Sequence, residues 1–285
     1  MTPTFHTIVS PLADIRVAQT AGGGVPILML HGAGASRRAF DLQLAGPLGA
    51  RHRLIAPDLP GHGESGDARD PASGYTLTGL ARSVADVVGA LQLDRFVIFG
   101  WSLGGHVAVE LLHHVTGACG LMLMGAPPVA RGPLGMLRGF HANWDMLLAS
   151  KEQYTSRDVE RYAHLCYGDA PPPGLVGDIR RTDGRLRPVF SRSMMRGDGA
   201  DQKRTVEQTT IPVAIVNGEH DPFIRHGYFA GLAVPTLWDD SVKIIANAGH
   251  AAFRDDPASF DSLLGRFAAD ADRYLAPARV VARRA

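Results

Sequence analysis

The sequence predicts an α/β fold: a mostly parallel central sheet, helices on both of its faces, and a helical insertion. Three observations carry that expectation. Short apolar runs alternate with helix-period segments up to about residue 124 and again from 209 onward. A strand, a sharp turn and a helix meet around Gly100-Trp101-Ser102-Leu103-Gly104. Between 127 and 208 the alternation stops and only helical patches remain, broken by Gly and Pro. The chain is therefore expected to divide into a core, residues 1–126 and 209–285, that carries a helical cap over 127–208.

Each element has its own signal. Phe5 to Val9 and Ile15 to Ala18 read as a leading hairpin, and Val25 to Leu30 as a buried strand ending in His31-Gly32-Ala33-Gly34. A helix is expected from Arg37 to Leu48. Leu54-Ile55-Ala56 is the next strand and runs into a turn-rich loop, Pro57 to Ser65. Thr76 opens a helix to Leu91, with Leu77, Leu80, Ala81, Val84, Val87 and Val88 at helical spacing. Phe96 to Phe99 is the strand before the Ser102 turn, Val107 to Val115 looks helical, and Gly120 to Met124 is another strand. In the insertion, helices are expected over Met136–Ala149, Ser156–Tyr167, Leu175–Arg181 and Arg185–Met195. Strands return at Ile211–Val216 and Val242–Ala246, and a helix from about Pro257 to Leu275 follows.

Bulk composition narrows the function classes. Of 285 residues, 45% are hydrophobic and 20% charged, ordinary for a soluble globular protein. The formal net charge of +1 gives no reason to expect a nucleic-acid partner. No apolar run approaches the roughly 20 residues that span a bilayer, and the first twenty residues carry no signal-peptide pattern. The two cysteines, Cys119 and Cys166, lack metal-ligand spacing and fit a reducing compartment. A cytoplasmic protein is expected, with no membrane partner. Oligomeric state is not encoded legibly.

The chemistry centres on Ser102. Gly-x-Ser-x-Gly between a strand and a helix is a nucleophile elbow, which lifts the hydroxyl above the sheet edge. A serine needs a base, and the base needs an orienting group. In this arrangement the chain order is Ser, acid, His. His250 follows the strand Val242–Ala246 and is the expected base. Asp221 follows the strand Ile211–Val216 and is the expected acid, with Glu219 as rival in the same turn. The backbone N–H groups of Leu103 and Ala33 are the expected oxyanion donors. His31 reads as a structural residue holding loop backbone, and His106 as packed or exposed. No HxH or HExxH pattern, GxGxxG or P-loop occurs, so neither metal nor cofactor is expected.

The motifs His31-Gly32-Ala33-Gly34, Asp58-Leu59-Pro60-Gly61-His62-Gly63-Glu64-Ser65, Gly100-Trp101-Ser102-Leu103-Gly104-Gly105 and Asn247-Ala248-Gly249-His250 resemble those of the α/β-hydrolase superfamily. Less generic stretches resemble its metal-independent N-acyl-homoserine lactonases, which quench quorum signals. They are Trp101 through His106, Ala126 through Arg131, Asp158 through Ala163, Arg181 through Arg185, and Asn247 through Arg254. The resemblance implies a small ester or lactone substrate and a Tyr162 reaching from the cap to the lactone carbonyl region; a cap-core aromatic is the alternative for that residue. Two departures stand out. Such lactonases carry Asn where this chain has Ala33, and Glu where it has Asp221. An acyl tail would lie along Trp144, Leu147, Phe190 and Met194, unless these are cap core. The competing expectations are a carboxylesterase, a carbon–carbon bond hydrolase acting on a dienoate, and a ligand receptor with slow turnover.

Overall fold

The apolar runs assemble into one eight-stranded sheet whose strand order places the Ser102 turn near its middle. The computed structural model describes residues 2–141 and 148–274. In chain order the strands are β1 (Thr4–Val9), β2 (Asp14–Gln19), β3 (Gly24–Leu30), β4 (His52–Pro57), β5 (Phe96–Trp101), β6 (Ala118–Met124), β7 (Val213–Gly218) and β8 (Lys243–Ile245). They lie side by side as β1-β2-β4-β3-β5-β6-β7-β8. β1 pairs antiparallel with β2, and β2 with β4. All other pairings are parallel. β5 is buried along its whole length, as a central parallel strand covered on both faces must be.

Helices cover both faces. On one, Phe40, Phe99, Phe253, Phe260 and Phe267 join the C-terminal helix Pro257–Tyr274 to the sheet, with the Phe99 and Phe260 rings 4.9 Å apart. On the other, helix Leu77–Ala90 buries Leu80, Val84 and Val87, and Thr76 caps it by accepting the Gly79 N–H. The expected helix Arg37–Leu48 is broken into a 3-10 turn, Arg37–Phe40, and two short helices, Asp41–Ala45 and Pro47–Arg51. Gly46 is extended between them, as the residue before a proline prefers to be. The helix after the elbow runs Leu103–Leu111, beginning earlier than its apolar pattern suggests because the turn itself starts it.

Between β6 and β7 the described residues hold helices Pro133–Gly139, Ser156–Tyr167, Pro173–Arg181, Leu186–Arg196 and Gln202–Gln208. The expected helix Met136–Ala149 is replaced at its start by Pro133–Gly139, and its residues 142–147 lie outside the described residues. Polar contacts tie this segment to loops of the sheet. The Ser36 hydroxyl donates to Asp178 (2.6 Å), the Tyr75 hydroxyl to Asp183 (2.5 Å), and Arg181 to the Ser65 carbonyl (2.9 Å). No helix among the described residues is long and apolar enough to cross a membrane.

Candidate active site

Ser102 stands where β5 gives way to its helix, with φ 54° and ψ −123°. A non-glycine residue there is strained, and the surrounding contacts over-determine it. Its N–H is held by the Met124 carbonyl at 2.8 Å, and its own carbonyl accepts the Gly105 N–H at 2.8 Å. The helix must also pass very close to β3. A Cβ on Gly104 would lie 2.2 Å from the Leu30 carbonyl oxygen, so only glycine permits the approach.

The loops after β7 and β8 bring Asp221 and His250 together. His250 Nδ1 donates to Asp221 Oδ2 at 2.7 Å, and both side chains are almost fully buried. The other carboxylate oxygen accepts the Phe223 N–H at 2.9 Å. Burial by itself would raise the Asp221 carboxyl; the charge and hydrogen bond of His250, with the Phe223 N–H, outweigh it and hold the group below the ordinary carboxylate value. Backbone pairing locks the two loops: the His220 N–H donates to Ala248 and the Glu219 N–H to Ile245. The indole of Trp101 donates to the His250 carbonyl at 2.8 Å, tying the histidine loop to the strand that ends at the serine. Gly125, at φ 61°, leaves room for the imidazole, since a Cβ there would sit 2.6 Å from His250 Cε1. Glu219 is exposed and spends an oxygen on the Asn247 N–H (2.9 Å), away from the imidazole's Nδ1 contact.

Ser102 and His250 line one cavity of about 100 Å³ together with Ala33, Leu103, Tyr162 and Phe190. The Tyr162 hydroxyl donates to the Ala33 carbonyl at 3.2 Å, so the residue from the insertion rests directly on the first loop. Met194 is not among the cavity's lining residues. It is buried one turn further along helix Leu186–Arg196 than Phe190, where its sulfur meets the Gln202 side chain at 3.9 Å. Trp144 and Leu147 lie outside the described residues. Sequence reasoning missed Met136, Phe140, Leu186, Phe223 and His106, which also line the cavity. Phe223 carried a usable signal, being an aromatic two residues past Asp221, and its ring centroid is 4.5 Å from that of His250.

His31 holds loop backbone, as expected: its Nε2 accepts the Leu59 N–H at 2.9 Å. The Asp58 loop is equally structural. Its buried carboxylate takes the N–H groups of Arg37 (2.7 Å) and Glu64 (2.8 Å) and the Arg37 guanidinium.

Residues 27–262 match the model of the alpha/beta hydrolase family, and the chain belongs to that family. It is an ester-bond hydrolase whose solved and curated relatives include lactonases and esterases. A structure of the N-acyl homoserine lactonase AidH complexed with N-hexanoyl homoserine is 39% identical, covers 95% of this chain and 98% of its own, and superposes with a TM-score of 0.92. Among curated proteins, an uncharacterized protein of Mycobacterium tuberculosis is 27% identical over 88% of this chain and 77% of its own length. The 2-hydroxymuconate semialdehyde hydrolase of Pseudomonas sp. strain CF600 is 26% identical over 88% and 89%.

Proposed function

We propose that this hydrolase opens the lactone ring of N-acyl-homoserine lactones through an acyl-enzyme intermediate. Ser102 Oγ attacks the ring carbonyl carbon while His250 takes the hydroxyl proton. The ring C–O bond breaks, and the proton passes from His250 to the departing ring oxygen, which becomes a free hydroxyl still attached to the acylated chain. Water, deprotonated by His250, then attacks the serine ester; the Ser102 Oγ–C bond breaks, His250 returns the proton to Oγ, and the ring-opened carboxylic acid leaves. Asp221 keeps the proton on Nδ1 and stabilises the imidazolium, and the Leu103 and Ala33 N–H groups hold the oxyanion. Tyr162 sits over the Ala33 loop as part of a cap, residues 127–208, and Phe190 offers an apolar wall to the acyl chain. A cytoplasmic location suits a substrate that reaches the enzyme as a small molecule.

One observation carries the substrate assignment: the likeness to AidH extends over 95% of this chain, insertion included. Tyr162 and Phe190 of that insertion line the cavity, which supports the reading. The test is a panel of N-acyl-homoserine lactones of increasing chain length beside p-nitrophenyl esters, with Ser102→Ala as control. Ring opening at enzyme rates, abolished in the variant, is expected. Turnover of p-nitrophenyl esters alone, with every lactone left at the level of the control, would overturn the substrate and favour a carboxylesterase. The similarity to a 2-hydroxymuconate semialdehyde hydrolase supports a second reading, cleavage of a carbon–carbon bond in a dienoate; consumption of such a substrate in the same panel would establish it.

A further inference from the structure

The cavity contains a polar group that the hydrolytic steps do not use. His106 lies one helical turn beyond Ser102, on the same helix, and is only 5% exposed. Its ring lines the cavity and packs near Phe140, centroids 5.7 Å apart. Nδ1 is 2.7 Å from Oε1 of Gln202, itself buried. The amide nitrogen of Gln202 points to the Met194 sulfur, a weak acceptor, which leaves the amide oxygen for the histidine. An oxygen there requires the proton on Nδ1, so Nε2 carries a lone pair. Burial drives the imidazole down to about 4, which keeps it neutral near pH 7. Among the described residues no hydrogen bond engages Nε2.

Among the described residues, the other polar side chains lining the cavity have another role or partner, or can only donate. Ser102 and His250 carry the chemistry, the Tyr162 hydroxyl is bonded to Ala33, and Arg187 offers donors alone. Among the described lining residues, His106 Nε2 is thus the ring nitrogen outside the Ser102–His250 pair that can accept, the Tyr162 oxygen being the other acceptor and lying against the Ala33 loop. An unsubstituted N-acyl-homoserine lactone has one conventional donor, the N–H of its side-chain amide.

We propose that His106 Nε2 accepts a hydrogen bond from that amide N–H, making His106 a specificity-determining residue that selects acylamino lactones over lactones without an amide. This deepens the lactonase assignment and rests on it. Gln202 acts through His106 as a positioning residue, fixing the tautomer. A ligand that puts an oxygen in place of the N–H sets two acceptors against each other, a mismatch that a built polar site rejects strongly.

The test compares N-hexanoyl-homoserine lactone with its ester counterpart, the lactone carrying a hexanoyloxy group in place of the hexanoylamino group. Each is used as a competitor of p-nitrophenyl acetate hydrolysis, so that binding is read whether or not the lactone is opened. The native enzyme is expected to bind the amide at least about tenfold more tightly than the ester. In His106→Phe the ratio should fall to near one. In His106→Asn, whose amide oxygen can accept, part of the preference should return. A ratio that stays within about twofold of the native value in His106→Phe overturns the proposal, as does a native enzyme that shows no preference. Ring opening is followed separately. Its failure with the binding ratio intact would overturn the lactonase assignment and leave the amide contact standing.

Discussion

The loops that leave the sheet and the segment that covers them are held in contrasting ways. On the sheet side, Ser102, Asp221 and His250 are fixed by backbone: the Ser102 N–H on Met124, the paired loops after β7 and β8, and the Trp101 indole on the His250 carbonyl. On the covering side, side-chain contacts such as Tyr75 to Asp183, Ser36 to Asp178 and Tyr162 to Ala33 predominate near the cavity, beside a few backbone bonds, among them the Asp183 N–H to Gly61 and the His141 N–H to Phe223. Backbone anchoring keeps reacting groups within the narrow tolerance that catalysis needs. Side-chain ties permit a surface to be remodelled residue by residue, and they break one at a time. Under the proposed mechanism the difference assigns chemistry and selectivity to separate walls of the same cavity, with His106 on the chemical wall and bonded to Gln202 of the covering segment.

The largest effect expected from that contrast lies on the backbone-anchored side. Asp221→Asn should lower kcat by about 10³–10⁴-fold, because the amide cannot enforce the right tautomer of His250. Glu219→Gln should change kcat by no more than about threefold, since this exposed carboxylate meets the Asn247 N–H and the His220 ring rather than His250. Steady-state kinetics of the two variants decides between the acids, and the reverse order would remove Asp221 from the mechanism.

A smaller effect is expected in stability against pH. Burial lowers His31, His62 and His106, so the native protein resists protonating them while the unfolded chain takes up protons near the ordinary value of 6.5. The unfolded state then binds more protons, and stability must fall as pH drops below that value. For His106 alone, shifted from 6.5 to about 4, the loss between those limits is about 3 kcal/mol. Urea unfolding from pH 7 to pH 4 should show the decline, and His106→Phe should make it shallower. A flat profile down to the carboxylate range would contradict the buried neutral imidazoles.

The smallest effect is expected on the covering side. Tyr162→Phe removes one hydrogen bond to the Ala33 carbonyl and should cost about 1 kcal/mol in thermal unfolding. Its kcat/KM should drop severalfold on lactones and less on p-nitrophenyl acetate, which reaches less of residues 127–208. An equal drop on both substrates would make Tyr162 a part of the chemical wall and blur the division.

Much of this architecture was legible in the residues. The strand-turn-helix at Ser102 is written in apolar residues followed by glycines that a close crossing demands, and helix Ser156–Tyr167 fell within the bounds its periodicity predicts. The helix at Arg37 was not, because a helical pattern of apolar residues continues across Gly46-Pro47 while the backbone cannot. Cavity walls were harder still. Phe190 and Met194 lie four residues apart on one helix face, yet only Phe190 lines the cavity; Met194, a turn further along, packs on Gln202 instead.

Local chemistry in the chain by itself determined the order of strands and helices, the strained serine turn, and the residue types available for nucleophile, acid and base. These depend on spacing of a few residues and on the conformations glycine and proline allow. Only the tertiary structure decided that Asp221, and not Glu219 two residues earlier, meets the imidazole, and that a histidine one turn past the serine keeps a lone pair for the cavity. Both outcomes depend on how separate segments pack, because a side chain's partner and its tautomer are set by groups distant in the chain.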